Sequence, residues 1–277
     1  MGTTITQAIA SFEKLWPTHL IEDWDVVGLV SGSPSQSISK VLLTVDVTSE
    51  VVEYAKQVGA DLIFAHHPLL LRGITSVAED TSKGLLVSGL IKSGIALYTA
   101  HTNADSVATG TSAAITTKLN LQNTRVLSPS KEPGLGIGIV GSLPNALTLG
   151  ELAQALNNIL PPTATGVRVA GAFDRKVSSV AFCAGAGESD LELALDSGAD
   201  VYITSDVRHH RAQEILELAK ARGVEFSLVD ISHWAAEFVW LETAQKELQE
   251  EMPLVKFEIC DIRTDVFDFL MNKPKDL

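Results

Sequence analysis

Residues 40–68 read KVLLTVDVTSEVVEYAKQVGADLIFAHHP. A continuous apolar run predicts a buried strand over 41–46, and Thr48 and Ser49 stand where a helix would be capped. Gly59 then marks the helix stop, and a second apolar run predicts a strand over 62–65. Strand, helix and strand in this order make a βαβ unit with parallel pairing. The second strand ends on His66 and His67, followed by Pro68. Adjacent side chains of a regular strand point to opposite faces, so both imidazoles can serve one site only if the backbone turns there, as Pro68 favours.

The same grammar returns in SVAFCAGAGESDLELALDSGADVYITSDVRHH, residues 179–210. One offset of 139 (198 less 59) lays Gly59, Ala60 and Asp61 on Gly198, Ala199 and Asp200, and also Val41 on Val180 and Ala65 on Thr204, without a gap. The prediction is an α/β fold of two similar lobes from an internal duplication. Around these copies the pattern predicts an amphipathic helix over 4–15, HLIEDWDVVGLVSG bringing the chain into a first strand, a helix over 83–93 and a strand in GIALYTAHTNAD. The stretch SPSKEPGLGIGIVGSLPNALTLGELAQALNNILPP, 128–162, reads as a crossing into the second lobe, with SLPNALTLGELAQAL a turn and then a helix. Beyond the second copy we expect a helix over 211–222, a strand in EFSLVDIS, one long helix over 232–251 and a last strand in VKFEICDI. Pairing is expected to be largely parallel, with sites outside the carboxyl ends of strands.

Composition narrows the function. The chain has 277 residues, 45% of them hydrophobic, with 21 Lys and Arg against 34 Asp and Glu for a formal net charge of −13. Such a balance repels polyphosphate backbones and anionic membranes, so no nucleic-acid or membrane partner is expected. Cys183 and Cys260 lie far apart in apolar stretches and read as buried, unpaired thiols of a cytoplasmic protein. No leader pattern and no apolar run of about 18 residues is found.

Histidines and carboxylates gather at the predicted element ends. The strand after His66 and His67 ends in AHTNAD, which brings His101 and Asp105 to the same edge of the sheet. In DISHWAAEF, His233 and Glu237 are four apart at a helix start, so they share one face at chelating distance. The donors His66, His67, Asp105, His233 and Glu237 exceed the three that a single catalytic zinc takes from protein. Two divalent ions sharing a carboxylate would use them all, with Glu237 as the expected bridge. Imidazole and carboxylate ligation without thiolate suits zinc, iron, manganese, nickel or cobalt. His101 is expected to orient a ligand or donate a proton, and His210 to bind or protonate a substrate in the same cavity. His209 reads as a solvated turn residue. The Gly-containing AGAGESD, 184–190, reads as a βα turn in preference to a phosphate-holding loop.

The ordered motifs WDVVGL, TVDVT, HHPLL, HTNAD, GADVYITSDVRHH and DISHWAAE together resemble the Nif-three-like dinuclear metal-centre family, also called the GTP cyclohydrolase 1 type 2 family, from about residue 5 to about residue 270. The resemblance implies the Nif-three-like fold, with 128–226 as an inserted second lobe and 1–127 together with 227–277 as the metal-binding lobe. It implies the same five metal ligands and a homohexameric, toroidal assembly with the sites facing its interior. The activity it implies is hydrolysis of a small-molecule substrate such as a nucleotide by a metal-bridging hydroxide; with GTP the guanine ring would open and release formate. A different class of function, a metal-binding or regulatory assembly protein that stores, senses or delivers ions, would use the same ligands. A phosphoesterase would also need phosphate-binding donors such as Arg72 or Arg208. The sequence departs from the family pattern at Val26, where Asn is usual, and at Ser205, where Gly is usual.

Overall fold

The computed structural model describes residues 2–271. The chain divides into two compact units, one formed by residues 2–110 together with 241–264, the other by 111–240 with 265–271. The first unit opens with β1 (Thr3–Thr4), α1 (Ile5–Leu15), β2 (Gly28–Ser31), β3 (Ser37–Ile38) and β4 (Lys40–Thr44). It continues with α2 (Ser49–Gln57), β5 (Leu62–Ala65), α3 (Ser82–Ser93), β6 (Ala96–Thr99) and α4 (Thr102–Ser106). The second unit begins with α5 (Thr111–Lys118), β7 (Gln122–Pro129), β8 (Gly136–Thr148), α6 (Leu149–Ile159), β9 (Arg168–Ala170) and β10 (Lys176–Ala186). It closes with α7 (Leu191–Asp196), β11 (Val201–Ser205), α8 (His209–Ala221), β12 (Ser227–Asp230) and α9 (His233–Phe238). The chain then returns to the first unit as α10 (Leu241–Glu251) and β13 (Lys256–Ile259).

The βαβ reading of residues 40–68 holds, except that β4 ends at Thr44 and not at 46. Thr48 caps α2 by accepting from the Val51 N–H, and Gly59 follows the helix in the left-handed region at φ 65°, a conformation that costs glycine little. β4 and β5 pair in parallel, Val41 against Leu62, and every residue of β5 is buried. The first unit's five-stranded sheet runs β13-β4-β5-β6-β2, parallel except for β2. The second unit's six-stranded sheet runs β7-β8-β10-β11-β12-β9, with only β10, β11 and β12 parallel. The expectation of largely parallel pairing is therefore met in the first sheet and not in the second. There β7 and β8 form an antiparallel pair that the reading of 128–162 as a crossing did not anticipate.

The duplication is visible in the ladders themselves. Val41 faces Leu62 in the first unit and Val180 faces Val201 in the second, the same offset of 139 on both strands. Asp61 and Asp200, one per copy, do the same work. The Asp61 carboxylate accepts from the Ser39 N–H, the Ser39 hydroxyl and the Lys40 N–H at 2.7, 2.9 and 3.0 Å. The Asp200 carboxylate accepts from the Ser178 and Ser179 N–H groups at 2.7 and 2.9 Å, and from both hydroxyls at 2.9 Å. Each carboxylate thus ties the start of its own strand to the start of the neighbouring one, which sets the parallel register.

Three boundaries differ from expectation. The second unit begins at 111 and ends at 240, not at 128 and 226, because β12 hydrogen-bonds to β11 and β9 and so belongs to the second sheet. The long helix expected over 232–251 is two helices. α9 ends in a turn closed by Trp240 N–H to Glu237 C=O at 3.0 Å, and the chain leaves the second unit there. SLPNALT is strand, not turn. β8 runs to Thr148 because its register against β10 shifts between the pairs Ser142–Ser179 and Leu147–Val177, so the N–H that Pro144 lacks falls in an unpaired bulge.

Burial raises the pKa of the Asp200 carboxyl, but the donors from Ser178 and Ser179 outweigh it and hold the group below its ordinary value. A depressed folded-state value means that this stabilisation is complete above the unfolded carboxylate range and is lost as pH falls through the folded pKa. Asp200→Ala is expected to lower unfolding free energy at pH 7 by about 2 kcal/mol, hydrogen bonds to a charged group being worth ~1.5–3. Urea melts at pH 7 and pH 3 check it, because the deficit must shrink at the lower pH.

Candidate metal centre

In the first unit the site grows from the carboxyl ends of β4, β5 and β6. His66 and His67 follow β5 in a bend, where their N–H groups still reach back to the Thr44 and Val45 carbonyls of the neighbouring chain segment at 3.0 and 2.8 Å. The turn brings both rings to one place, with centroids 5.2 Å apart. His101 follows β6 as the cap residue of α4, and its ring centroid lies 5.2 Å from that of His66 and 5.6 Å from that of His67. One ring nitrogen from each of the three lies within 4.8 Å of the others. Asp105, on α4, places Oδ1 3.7 Å from His66 Nε2. That gap is close to the roughly 3.4 Å that two ligands of one tetrahedral ion keep at ordinary bond lengths.

In the second unit His233 and Glu237 lie on the first turns of α9, as their spacing predicts, with His233 Nε2 3.0 Å from Glu237 Oε1. Ser232 caps the helix by accepting from the Ala235 N–H. Glu237 is buried and His233 partly exposed. Facing them is Gly185, in β10, at φ +72°. A Cβ there would sit 2.5 Å from Glu237 Oε1 and 3.4 Å from His233 Nε2, so the bare backbone makes the room these two side chains occupy.

The rings are held in one consistent way, which sequence reasoning did not foresee. His67 Nδ1 meets Asp46 Oδ1 at 2.7 Å, His101 Nδ1 meets Asp25 Oδ1 at 2.9 Å, and His233 Nδ1 meets Asp206 Oδ2 at 2.7 Å. His66 Nδ1 meets the Ala100 carbonyl at 2.9 Å. An imidazole whose Nδ1–H is engaged by an oxygen acceptor offers Nε2 as the metal ligand, and this outer hydrogen bond fixes both tautomer and orientation. The residues present therefore fit a divalent ion in donor chemistry and in the cradle at Gly185. The signals were in the quoted motifs: Asp25 of WDVVGL, Asp46 of TVDVT and Asp206 of ITSDV.

These carboxylates are themselves anchored. Asp25 also accepts from the Val26 N–H at 2.7 Å, the Thr102 N–H at 3.1 Å and the Thr102 hydroxyl at 2.5 Å. Burial raises its pKa, yet the bonds from His101 and Thr102 prevail and bring it to about 2. Position 26 reaches Asp25 through its backbone N–H, so this bond does not depend on the Val26 side chain. Asp46 accepts from Thr264 at 2.6 Å. Asp206 sits in the left-handed region at φ 57°, which Asp tolerates, and the His233 hydrogen bond holds its carboxyl below the ordinary value. Ser205, just before it, is fully buried, and among the described residues its hydroxyl has no hydrogen-bond partner.

The Duf34/NIF3 (NGG1p interacting factor 3) family model matches residues 3–266. The chain belongs to this family. It is 42% identical to the GTP cyclohydrolase 1 type 2 homolog of Streptomyces coelicolor over 89% of this chain and 86% of that one. It is 30% identical to a Mycobacterium bovis protein of the same name over the whole of both chains. A solved Bacillus cereus protein related to NIF3 superposes with TM-score 0.87 at 26% identity, covering 98% of this chain and 100% of that one. The fold is the NIF3 fold, as the motifs implied, and the His and Glu clusters agree with metal binding in this family.

Other expected residues fall elsewhere. His210 is exposed on the first turn of α8 with its ring against His209, and among the described residues no group of metal donors includes it. His209 is likewise exposed, as the first residue of α8 rather than in a turn. Of the AGAGESD stretch, Ala184–Ala186 end β10 and only 187–190 make the turn into α7, which is held from within. The Gly187 N–H donates to the Thr204 hydroxyl at 2.9 Å, and the Gly187 carbonyl accepts from Tyr202. Arg208 is engaged by Glu188 through its N–H and guanidinium, and this pairing pulls the Glu188 carboxyl down to about 2. Cys183 and Cys260 are both buried, as expected. Among the described residues no helix is long and apolar enough to cross a membrane. Gly185→Ala is expected to keep a cooperative thermal transition while weakening retention of an added divalent ion at least tenfold, the lower bound for displacing a ligand's support. Competition against a chelator of known affinity measures it.

Proposed function

We propose that the protein is a metal-dependent hydrolase in which His66, His67, Asp105, His233 and Glu237 together hold two divalent ions. The observation that carries this reading is the common mounting of the imidazoles, each with Nδ1 against an oxygen acceptor. Five donors without a thiolate suit zinc, iron, manganese, nickel or cobalt, and Glu237, as a buried carboxylate with two oxygens, suits the bridging place. When bound, the ions would supply a water of lowered pKa and positive charge for a developing oxyanion.

The chain's own residues do the rest. Asp25, Asp46 and Asp206 fix the rings so that no reorientation is required during reaction. His101 is favoured over His210 for moving a proton, because its ring is held among the other imidazoles by Asp25 while His210 lies exposed on α8. The names of the relatives point to GTP, and the corresponding reaction opens the imidazole portion of guanine with release of formate. A phosphoester substrate is less well supported, since Arg208 is already committed to Glu188. Assembly as a homohexameric ring is part of the same proposal and rests on the family resemblance alone.

Elemental analysis of purified protein is expected to find about two equivalents of divalent metal per chain. The His66→Ala, Glu237→Ala double variant should lose most of it. Full retention by that variant overturns the ligand assignment. A screen of nucleotides, phosphoesters and cyclic amides against metal-loaded protein, with the Glu237→Ala variant as control, tests the activity. Turnover lost in the variant supports hydrolysis, and metal binding without any turnover favours ion storage or delivery.

A further inference from the structure

Trp24 is 58% exposed, while Trp16, Trp234 and Trp240 are 0%, 8% and 0% exposed. Its ring lies 5.7 Å from that of His101, edge to face at 80°. Water contact over most of an indole is costly, and here the ring stands beside the imidazole cluster. Its mount is rigid. The turn that carries it is closed by the Asp25 N–H donating to the Glu22 carbonyl at 2.9 Å, and the next side chain, Asp25, is caged by His101 and Thr102. Val26, just beyond, is 50% exposed and extends the apolar surface.

We infer that Trp24 is the stacking platform for a planar, purine-type ring of the substrate. The inference rests on the metal reading of the neighbouring histidines. An exposed indole face accepts two kinds of partner, a cation or another π-face. A site loaded with divalent ions repels a cationic ligand and attracts a neutral ring that carries an anionic tail. Stacking on a ring already fixed in place loses little conformational freedom, so the platform orients the ring beside His101 at small entropic cost. Trp24 is in this sense a specificity-determining residue, and its test must separate ring recognition from metal binding and from contact between copies.

Because the other tryptophans are buried, quenching by an added ring reports on Trp24. Full-length protein, with and without zinc, is titrated with guanosine, GTP and inorganic tripolyphosphate. Guanosine and GTP are expected to quench emission and tripolyphosphate to leave it unchanged. Measured by titration calorimetry, since the variants lack the reporting indole, Trp24→Leu should raise the GTP Kd roughly tenfold and Trp24→Phe should restore most of the affinity, and all three proteins should keep equal zinc content and equal mass in solution. Unchanged GTP affinity in Trp24→Leu overturns the inference, as does no quenching of the wild type by either ring. A lower assembly mass in Trp24→Leu with unchanged Kd also overturns it and assigns the indole to a contact between copies. Failure of the metal reading shows separately, as absent zinc, while guanosine quenching of zinc-free protein still reads the platform.

Discussion

Four histidines are each held by Nδ1 against an oxygen acceptor, and the rest of the arrangement follows from that constraint. An imidazole left to rotate would cost entropy on binding an ion and would sample the wrong tautomer. Fixing it through the far nitrogen removes both penalties. The acceptors need anchoring in their turn. Asp25 has four donors around it, Asp46 has Thr264, and Asp206 takes a backbone conformation that few side chains accept.

The fold supplies the places where this is possible. In parallel strands the carboxyl ends open together on one edge of the sheet, and that is where His66, His101 and Asp46 follow β5, β6 and β4. Asp25 precedes β2, which runs antiparallel to β6, so it arrives at the same edge from the other direction. The second unit repeats the plan with Gly185 in β10, Asp206 after β11 and His233 after β12. The duplicated aspartates, Asp61 and Asp200, sit at the opposite ends of these strands and hold register there. Each unit thus separates a structural edge from a chemical one.

Legibility varied with how local the signal was. The βαβ unit of residues 40–68 and the offset of 139 were readable because strand period, helix cap and glycine stop are all short-range features, and they survive intact in the ladder registers. The His233–Glu237 pair was readable for the same reason, since four residues on a helix fix a distance. The β7–β8 pair and the extent of β8 were not, because a strand interrupted by Pro144 depends on a partner that shifts register to accommodate it. The unit boundary went wrong at β12, whose sheet is chosen by which strand it meets.

By itself the sequence determined the residue types able to ligate a cation, the paired α/β units that carry them and the strand ends on which they fall, since periodicity and spacing are properties of a short stretch of chain. Only the tertiary structure decided which carboxylate orients which imidazole, that Gly185 must lack a side chain, that His101 joins the imidazole cluster and that Trp24 stays exposed beside it. Asp25 and His101 are 76 positions apart, and a hydrogen bond across that distance exists only once the strands between have packed.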